Sequence, residues 1–592
     1  MVNENITAEA RQQFATRVET SSFALLNFLW VWSAPITALA IRADDSYEPW
    51  ARGAPNFLPG SINGKKKARP FPANVWHTSR FMAFQSILFP EHRADAVLQQ
   101  DMPKFFRDLN LNQVVEKITA EYAEYGLTTF FYTGLHDLDS IAYRQAVMKD
   151  LEGPLLMEAV VSFSSAMNRM RRHLDEAKNL ESYKYSKERR FLEAITIYCD
   201  AVEVLRQGLE SLPVRSRGLE GFAAYLNEYV ADAAFRSLAT DARKLNAELS
   251  AVKYCVLIRN GAVTVRHYEG EQDYSTTVEA TFQRFRQGAL GLRRLEIHPW
   301  SRVNHIEAQI LERVALLFPE VFASVAAFFS EHQAYVDQTI ARFDREVQFY
   351  VAYLKYIEEL RHSGLHFCYP ELSAHSKEIN AENSFDLALS VKLIAEKKTI
   401  VANGFFLQGS ERVFVVSGPN QGGKTTFARM IGQLHFLASL GCLVPGTSAR
   451  LLLVDRVFTH FEREEQITTM VGKLQDDLNR IREILEFATG NSLIIMNETF
   501  SSTTLNDALL LSRKTMERIS ELDALCVWVT FLDELASFNE KTVSEVSTVR
   551  PENPATRTFK LERRHPDGLA YALALAEKHR VTYRALKERI RA

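Results

Sequence analysis

A glycine-rich stretch near residue 420 is the part of the sequence whose residue types and spacing best fit a chemical role. It matches the pattern G-x-x-x-x-G-K-[ST] of loops that bind phosphate groups. In such loops consecutive backbone N–H groups curl around phosphate oxygens, and the following helix adds the positive end of its dipole. The lysine reaches the β- and γ-phosphates, and the threonine hydroxyl can bind Mg²⁺. We assign phosphate binding to Gly418, Pro419, Asn420, Gln421, Gly422, Gly423, Lys424, Thr425 and Thr426.

A second group of candidate residues follows the apolar run 493–496, where a hydrophobic strand should end in acids. Glu498 is placed to orient or activate an attacking water, so it is the candidate catalytic residue. Asn497 stands where such sites normally carry a Mg²⁺-orienting aspartate. Its amide oxygen can bind the ion or its water shell but lacks the negative charge that favours Mg²⁺. Thr425 and Asn497 are the candidate metal ligands, and an exposed acid at a strand end is the alternative for Glu498.

The elements around these residues alternate between strands and helices after about residue 363. The runs 412–416, 492–496 and 526–530 are apolar enough for buried strands, and the helical run 426–440 directly follows the glycine-rich stretch. This alternation predicts a largely parallel sheet with right-handed crossovers. The expected fold of this part is an α/β P-loop domain.

The preceding part, from about residue 81 to 361, is dominated by long amphipathic helix. The clearest examples are 191–209 and 303–361, and the length of the second suggests lever-like or coiled-coil geometry. A plain helical spacer is the alternative. Asn260 and Gly261 separate the strand-like runs 254–258 and 263–265, which predicts a β-hairpin. That hairpin fits a tip on long levers and a small packing element equally well.

Composition and charge exclude several classes of protein. With 46% hydrophobic and 24% charged residues, the chain is not collagen-like, disordered or a disulfide scaffold. Five scattered cysteines with no CxxC pair indicate a reducing, cytoplasmic compartment and no zinc site. A net charge of -3 means that any nucleic-acid contact comes from local patches or from an enclosing shape.

The uncharged segment 21–41 complicates the cytoplasmic prediction. It is long enough to span a membrane, but Asn27, Pro35 and the acidic residues before it argue against an anchor or a secretory signal. We expect a buried or partner-facing apolar helix, with membrane contact through 21–41 as the alternative.

Several collinear motifs resemble the MutS DNA mismatch-repair family. The stretch GPNQGGKTT is close to the family's GPNMGGKST. The similarity continues through 440–445, 454–459 and 502–507, covers about 404–549, and returns at 567–572. Shorter stretches at 105–109 and 143–145 are similar to the core of a MutS-related bacterial subfamily. The resemblance implies three parts: an N-terminal extension (1–75), a helical core, lever and clamp region (76–370) and an ABC-like ATPase domain with C-terminal dimerisation helices (371–592). The predicted fold is therefore multidomain, with a long-helix core and lever region, a small β-hairpin, and an α/β P-loop ATPase domain.

The resemblance also implies a composite site across a homodimer, with ATP and Mg²⁺ as cofactors and DNA as partner. Thr468 occupies the signature position and Asp507 lies in the D-loop-like segment, both acting on the partner's nucleotide; a plain helix cap is the alternative for Thr468. Asn403 resembles an asparagine beside the adenine. Phe531 departs from the family, which has a histidine as γ-phosphate sensor there, and together with Asn497 it predicts slow hydrolysis.

The DNA contact is the least specific part of the resemblance. No mismatch-reading module and no nuclease-like extension is recognisable, so backbone or branched-structure binding is expected over mispair readout. Candidate DNA-binding residues after the hairpin are Arg284, Arg286, Arg293 and Arg294, and further basic clusters lie at 169–172 and 184–190. Solvated helix faces are the better explanation of any one cluster, and the three clusters together fit DNA binding equally well. The leading hypothesis is an ATP-gated dimeric clamp on mismatched or branched DNA. The alternative is an ATP-binding structural or membrane-associated scaffold without mismatch recognition.

Overall fold

The computed structural model describes most of the chain beyond residue 83. The described residues are 38–41, 84–90, 97–180, 183–259, 262–271, 305–462, 472–550, 552–566, 576–577 and 579–591.

The described helices are α1 (Leu111–Thr119), α2 (Thr128–Tyr132), α3 (Leu138–Leu151), α4 (Pro154–Asn179), α5 (Lys184–Ser211), α6 (Arg217–Ala231), α7 (Ala233–Ala251), α8 (His305–Leu317), α9 (Pro319–Glu331), α10 (Gln338–Arg361), α11 (Leu387–Ala395), α12 (Lys424–Ser439), α13 (Lys473–Phe487), α14 (Leu505–Leu522) and α15 (Tyr583–Arg591). Short 3₁₀ turns cover Lys104–Phe106, Ala120–Tyr125 and Asp533–Ser537.

The described strands are β1 (Ala38–Ile41), β2 (Tyr254–Arg259), β3 (Ala262–His267), β4 (Phe367–Cys368), β5 (Glu371–Ser373), β6 (Ile379–Ser384), β7 (Asn403–Leu407), β8 (Val413–Ser417), β9 (Val444–Pro445), β10 (Ser448–Leu452), β11 (Val457–Phe461), β12 (Leu493–Asn497), β13 (Leu525–Val529), β14 (Thr542–Arg550) and β15 (Asn553–Arg563).

Residue contacts divide the chain into two compact units. The first unit comprises residues 1–81, 158–211 and 224–338, and the second comprises 82–157, 212–223 and 339–592. The helical region and the mixed α/β domain expected from the sequence are both present.

Aromatic side chains hold the helices of the first unit together. Phe191 on α5 packs edge-on against Phe329 of α9 at 4.8 Å between ring centroids, and against Tyr335 at 5.6 Å. Tyr335 also packs against Tyr198, which lies about two helical turns after Phe191 on α5, at 5.4 Å between ring centroids. These contacts place the predicted helical run 191–209 inside α5, with its apolar face buried.

Two neighbouring arginines of α5 pair with the same acidic side chain within the first unit. The guanidinium groups of Arg189 and Arg190 both pair with Glu193, at 3.0 and 2.8 Å. Burial alone would raise the pKa of Glu193, but His173 and the two arginines outweigh it and lower that pKa to about 2. These arginines therefore stabilise α5 rather than offering free positive charge.

The predicted hairpin is confirmed. Strands β2 and β3 pair antiparallel, and the pairing of Arg259 with Ala262 leaves a two-residue connection, whose residues Asn260 and Gly261 lie outside the described ones. Strand β3 packs on α8, and β1 adds a third, parallel strand beside β2. At the start of β2, Tyr254, Cys255 and Val256 are buried, so this end of the hairpin is part of the core of the first unit.

The prediction of one long helical run over 303–361 is wrong. The described part of that stretch forms three helices, α8, α9 and α10. Pro319 begins α9, where it has no N–H to offer a continuing helix, and the chain bends by 108° between α8 and α9. The apolar spacing is helical on both sides of the break, which is why periodicity alone joined the pieces.

The second unit is built on a six-stranded sheet with the order β11-β12-β13-β8-β14-β15. In this sheet the five strands β11, β12, β13, β8 and β14 are mutually parallel, and β15 pairs antiparallel with β14. The three strands predicted from the sequence are β8, β12 and β13, side by side in the centre. Their carboxyl ends therefore meet at one edge of the sheet. A smaller sheet, β5-β10-β6-β7, belongs to the same unit.

Helices cover both faces of the large sheet because its central strands are apolar throughout. On one face Val413, Val415 and Trp528 share a buried cluster with residues of α13 and α14. On the other face Phe414 packs edge-on against Phe427 of α12, at 6.2 Å. Neighbouring residues of β8 thus point to opposite faces, as strand geometry requires.

Helix α12 is buried nearly all round, and the segment 104–109 helps to enclose it. Phe105 and Phe106 pack on Phe436 at 5.2 and 5.1 Å. The side-chain amide of Gln433 donates to the carbonyl of Leu109 at 2.8 Å, and its oxygen accepts from the backbone N–H of Leu387. The family-like stretch around residue 106 therefore supports the helix that follows the glycine-rich loop.

The apolar segment 21–41 lies largely outside the described residues. Its last four residues form the strand β1, so the expected helix does not extend over them. Within the described residues no single helix is long and apolar enough to cross a membrane; α8 and α9 reach that length and composition only as a bent pair.

Candidate functional site

The glycine-rich loop connects the end of β8 to the start of α12 and is pressed against β14. Gly418 and Gly423 adopt φ values of 110° and 95°, which favour glycine, and Gln421 adopts 60°. A Cβ on Gly418 would lie 2.9 Å from the carbonyl oxygen of Ser547, and one on Gly422 would overlap Ser547 Oγ. Gly418 and Gly422 are therefore required by the close approach of the loop to β14, and Gly418 and Gly423 by its curvature.

Lys424 is the first residue of α12 and its side chain folds back over the loop. Its ammonium group donates to the carbonyl oxygen of Gly418 at 2.8 Å and of Pro419 at 3.4 Å. It also lies 4.1 Å from the ring centroid of Phe531, which follows β13. Burial lowers the pKa of Lys424 to about 8, with the charge of Arg557 adding to this effect and Glu498 opposing it.

The two predicted metal ligands are in contact. The Thr425 hydroxyl donates to Asn497 Oδ1 at 2.9 Å, across the carboxyl edge of the sheet. Neighbouring oxygen ligands of an octahedral Mg²⁺ are about 3 Å apart, given bond lengths of about 2.1 Å. A hydroxyl and an amide oxygen at this separation fit two adjacent positions of such an ion. In the described part of the chain, no group of three or more His, Cys, Asp or Glu side chains could hold a metal.

Glu498 directly follows Asn497 and has a strained backbone. Its φ is 52°, in the left-handed region that costs a non-glycine residue about 1–2 kcal/mol. Its N–H donates to the carbonyl oxygen of Val529 at 2.9 Å, which ties this turn to β13. Strain of this kind persists where surrounding structure enforces it, and it concentrates at functional sites.

The hairpin of β14 and β15 supplies two contacts to the loop that the sequence did not predict. Ser547 Oγ donates to the carbonyl oxygen of Gly422 at 2.6 Å, and Arg557 Nε donates to that of Asn420 at 3.1 Å. A Cβ on Gly423 would lie 3.8 Å from the backbone of Phe559, whose φ is 59°, which is an ordinary van der Waals distance. Asn403 holds this part of β15 by donating to the Phe559 carbonyl and accepting from the Leu561 N–H. No local motif marks Ser547 and Arg557, which lie more than 120 positions after the loop residues that they contact.

Two family models match the chain. The model of MutS domain V matches residues 414–577, and that of the MutS2 N-terminal domain matches residues 136–363. The chain is a member of the MutS family. All the loop, strand-end and hairpin contacts described above, except that of Asn403, lie within the span matched by MutS domain V.

Curated proteins similar to the chain carry related names. The DNA mismatch repair protein MutS of Chlorobium phaeovibrioides is 25% identical over 234 residues, 39% of this chain and 26% of that protein. The endonuclease MutS2 of Thermus thermophilus is 31% identical over 189 residues, 32% of this chain and 25% of the relative. The DNA mismatch repair protein MSH4 of Arabidopsis thaliana is 29% identical over 151 residues, 26% of this chain and 18% of the relative. The matched stretches thus span about a quarter or less of each relative.

Of the remaining candidate residues of this MutS-family chain, some lie within the described residues and others lie outside them. Thr426 follows Thr425 in the first turn of α12 and is partly buried. Asp507 lies in the first turn of α14, where its N–H and carboxylate both bond to the hydroxyl of Thr504. Thr468 and the arginines Arg284, Arg286, Arg293 and Arg294 lie outside the described residues.

Proposed function

We propose that this chain is a MutS-type ATP-binding DNA-repair protein in which ATP controls a dimeric clamp on mismatched or branched DNA. The proposal rests on four side chains that lie close together at the carboxyl edge of the sheet: Lys424, Thr425, Asn497 and Glu498. All four lie within the residues matched by MutS domain V. In open α/β sheets this edge is where ligands bind.

The proposed binding step uses the loop 418–423 and the start of α12. Their backbone N–H groups surround the phosphates, while the dipole of α12 and the charge of Lys424 balance the negative charge. Arg557 adds a second cation beside the loop through its contact with Asn420.

The proposed hydrolytic step has fewer charged or hydrogen-bonding side chains than the MutS-type sites that this chain resembles. Glu498 orients or activates the attacking water. Thr425 and Asn497 would hold Mg²⁺, which shields the negative charge on the phosphates when it is bound. Because Asn497 is neutral and Phe531 cannot donate a hydrogen bond, we expect turnover to be slow.

The proposed assembly is a cytoplasmic homodimer. Thr468 and Asp507 of one subunit face the nucleotide of the other, and the arginines after the hairpin, Arg284, Arg286, Arg293 and Arg294, contact DNA. Membrane association through 21–41 has no further support. The names of the relatives, two of them DNA mismatch repair proteins, favour the DNA-repair proposal over a scaffold.

Nucleotide binding can be tested by equilibrium titration with a fluorescent ATP analogue in the presence of Mg²⁺. We expect Lys424→Ala to weaken binding at least tenfold, since it removes a charge that contacts the phosphates. Lys514→Ala is the matched control, because Lys514 is an exposed lysine on α14 paired with Glu517. Equal affinity in wild type and Lys424→Ala would contradict the proposed site.

A further inference from the structure

The contacts of Lys424 satisfy its ammonium group within the protein itself. Two of its donors are directed to the carbonyl oxygens of Gly418 and Pro419, and the face of the Phe531 ring covers it at 4.1 Å. Only 4% of Lys424 is exposed. A phosphate group that binds this lysine must therefore compete with three partners already in place.

The side chain of Phe531 lies largely outside the apolar core. Its exposed fraction is 53%, whereas the next residue, Leu532, and Leu535 of the following 3₁₀ turn are buried in the core. The apolar anchoring of this segment thus comes from the leucines. What Phe531 contributes is a π-face turned toward the one lysine of the loop.

The π-face of Phe531 should weaken phosphate binding. An aromatic face carries partial negative charge, so it attracts an ammonium group and disfavours an anion in the same place. A contact at about 4 Å with a buried cation is at the stronger end of such interactions. Holding Lys424 on the loop carbonyls and repelling oxyanions both oppose the approach of β- and γ-phosphates.

We propose that Phe531 is a positioning residue that holds Lys424 against the loop and thereby weakens the binding of nucleoside di- and triphosphates. The inference rests on the proposed nucleotide site and adds to it a built-in restraint. Nucleotide binding then requires Lys424 to leave Gly418, Pro419 and the ring. A variant without the ring should bind more tightly than the wild type.

The test compares Phe531→Leu with Phe531→Tyr. Leucine keeps an apolar side chain at this exposed position but has no π-face, while tyrosine keeps the ring. Titration with ATP and with ADP should give Phe531→Leu a Kd about 2- to 30-fold lower than the wild type, and Phe531→Tyr a Kd close to it. A Kd for Phe531→Leu that is unchanged or higher overturns the proposal.

A second readout follows Lys424 directly. Amine-reactive labelling with detection by mass spectrometry should modify Lys424 faster in Phe531→Leu than in wild type or Phe531→Tyr, because the cover and the stabilisation of the charged amine are both removed. Equal labelling rates overturn the restraint even if affinities change. If the wild type binds no nucleotide at all and Lys424→Ala behaves identically, the proposed function fails; if only the Phe531 variants show no effect, this inference alone fails.

Discussion

Lys424 and Asn497 set the charge that the candidate site offers to a nucleotide and its metal ion. Lys424 is buried and its pKa is lowered to about 8, so its charge varies close to neutral pH. Asn497 would offer the proposed metal ion an amide oxygen that carries no negative charge. Both features are testable with single substitutions that keep the size of the side chain.

Nucleotide affinity should depend on pH through Lys424. With a pKa of about 8, the amine is mostly charged at pH 7.5 and about one-tenth charged at pH 9. Because phosphates bind the charged form, ATP affinity should fall about tenfold between these pH values. Lys424→Arg is the control, since a guanidinium stays charged throughout. Parallel pH profiles for the two proteins would refute the titration of Lys424.

Restoring a carboxylate at Asn497 should change the metal dependence. In Asn497→Asp the oxygen that contacts the Thr425 hydroxyl gains a negative charge, which favours Mg²⁺. We expect half-maximal ATP binding or hydrolysis at a Mg²⁺ concentration about 3- to 10-fold lower than in the wild type, from a gain of about 1 kcal/mol. The measurement is a Mg²⁺ titration at fixed ATP. An unchanged midpoint would place Asn497 away from the ion.

At this scale the sequence indicated contacts between residues at neighbouring strand ends, and it did not indicate contacts that depend on the tertiary fold. The contact between Thr425 and Asn497 follows from two strand ends of one parallel sheet, so it was foreseeable. The contacts of Ser547 and Arg557 with the loop depend on where the β14–β15 hairpin lies. The loop sequence carries no sign of that position.

At the scale of elements, Glu346 of α10 is the buried group that ties the segment 86–89 to a helix. Ser86 Oγ and the N–H of Ile87 both donate to its carboxylate at 2.9 Å. Burial raises the pKa of Glu346 to about 7, and hydrogen bonds from Ser86 and Ile87 and the charges of Arg342 and Arg144 oppose that rise only in part. The packing of this segment therefore depends on pH.

The sign of that dependence follows from the two protonation states. Unfolded Glu346 loses its proton near 4.5 and folded Glu346 near 7, so the folded state binds more protons between these values. Stability contributed at this site is present at low pH and is lost as pH rises through 7. Glu346→Gln removes the titration, so its stability relative to wild type should increase by about 2–3 kcal/mol between pH 5 and pH 8.

Thermal unfolding of both proteins across this pH range checks the Glu346 prediction. Other buried acids with raised pKa values, such as Glu545 and Asp386, are present in both proteins and cancel in the comparison. A constant difference between the two unfolding midpoints from pH 5 to pH 8 would show that Glu346 does not titrate there.

Local patterns predicted some elements and failed on others for a physical reason. Hairpin β2–β3 and the strands β8, β12 and β13 have strong local signals: a two-residue Asn-Gly turn or continuous apolar runs. The run 303–361 failed because helical periodicity continues across the break at Pro319. Apolar periodicity indicates which face of a helix is buried, but it does not indicate where one helix ends and the next begins. Here a new helix begins at Pro319.

At the scale of the whole molecule, the small net charge limits the ways in which the chain could bind DNA. A net charge of -3 cannot give broad electrostatic attraction to a polyanion. Arg189 and Arg190 of α5 in the first unit are paired with Glu193. DNA binding by this MutS-family chain would thus depend on enclosing the duplex or on local patches, and both suit a clamp whose closure is controlled by ATP.

The most direct test of this account is the affinity of the protein for DNA measured with and without ATP. Filter binding would use homoduplex, mismatched and branched DNA at a fixed salt concentration, with wild type and Lys424→Ala side by side. We predict that ATP changes the Kd of the wild type for at least one of these DNA structures by fivefold or more, on the order of 1 kcal/mol of coupling. Lys424→Ala should show no such change. The same Kd with and without ATP on all three DNAs would contradict an ATP-controlled clamp.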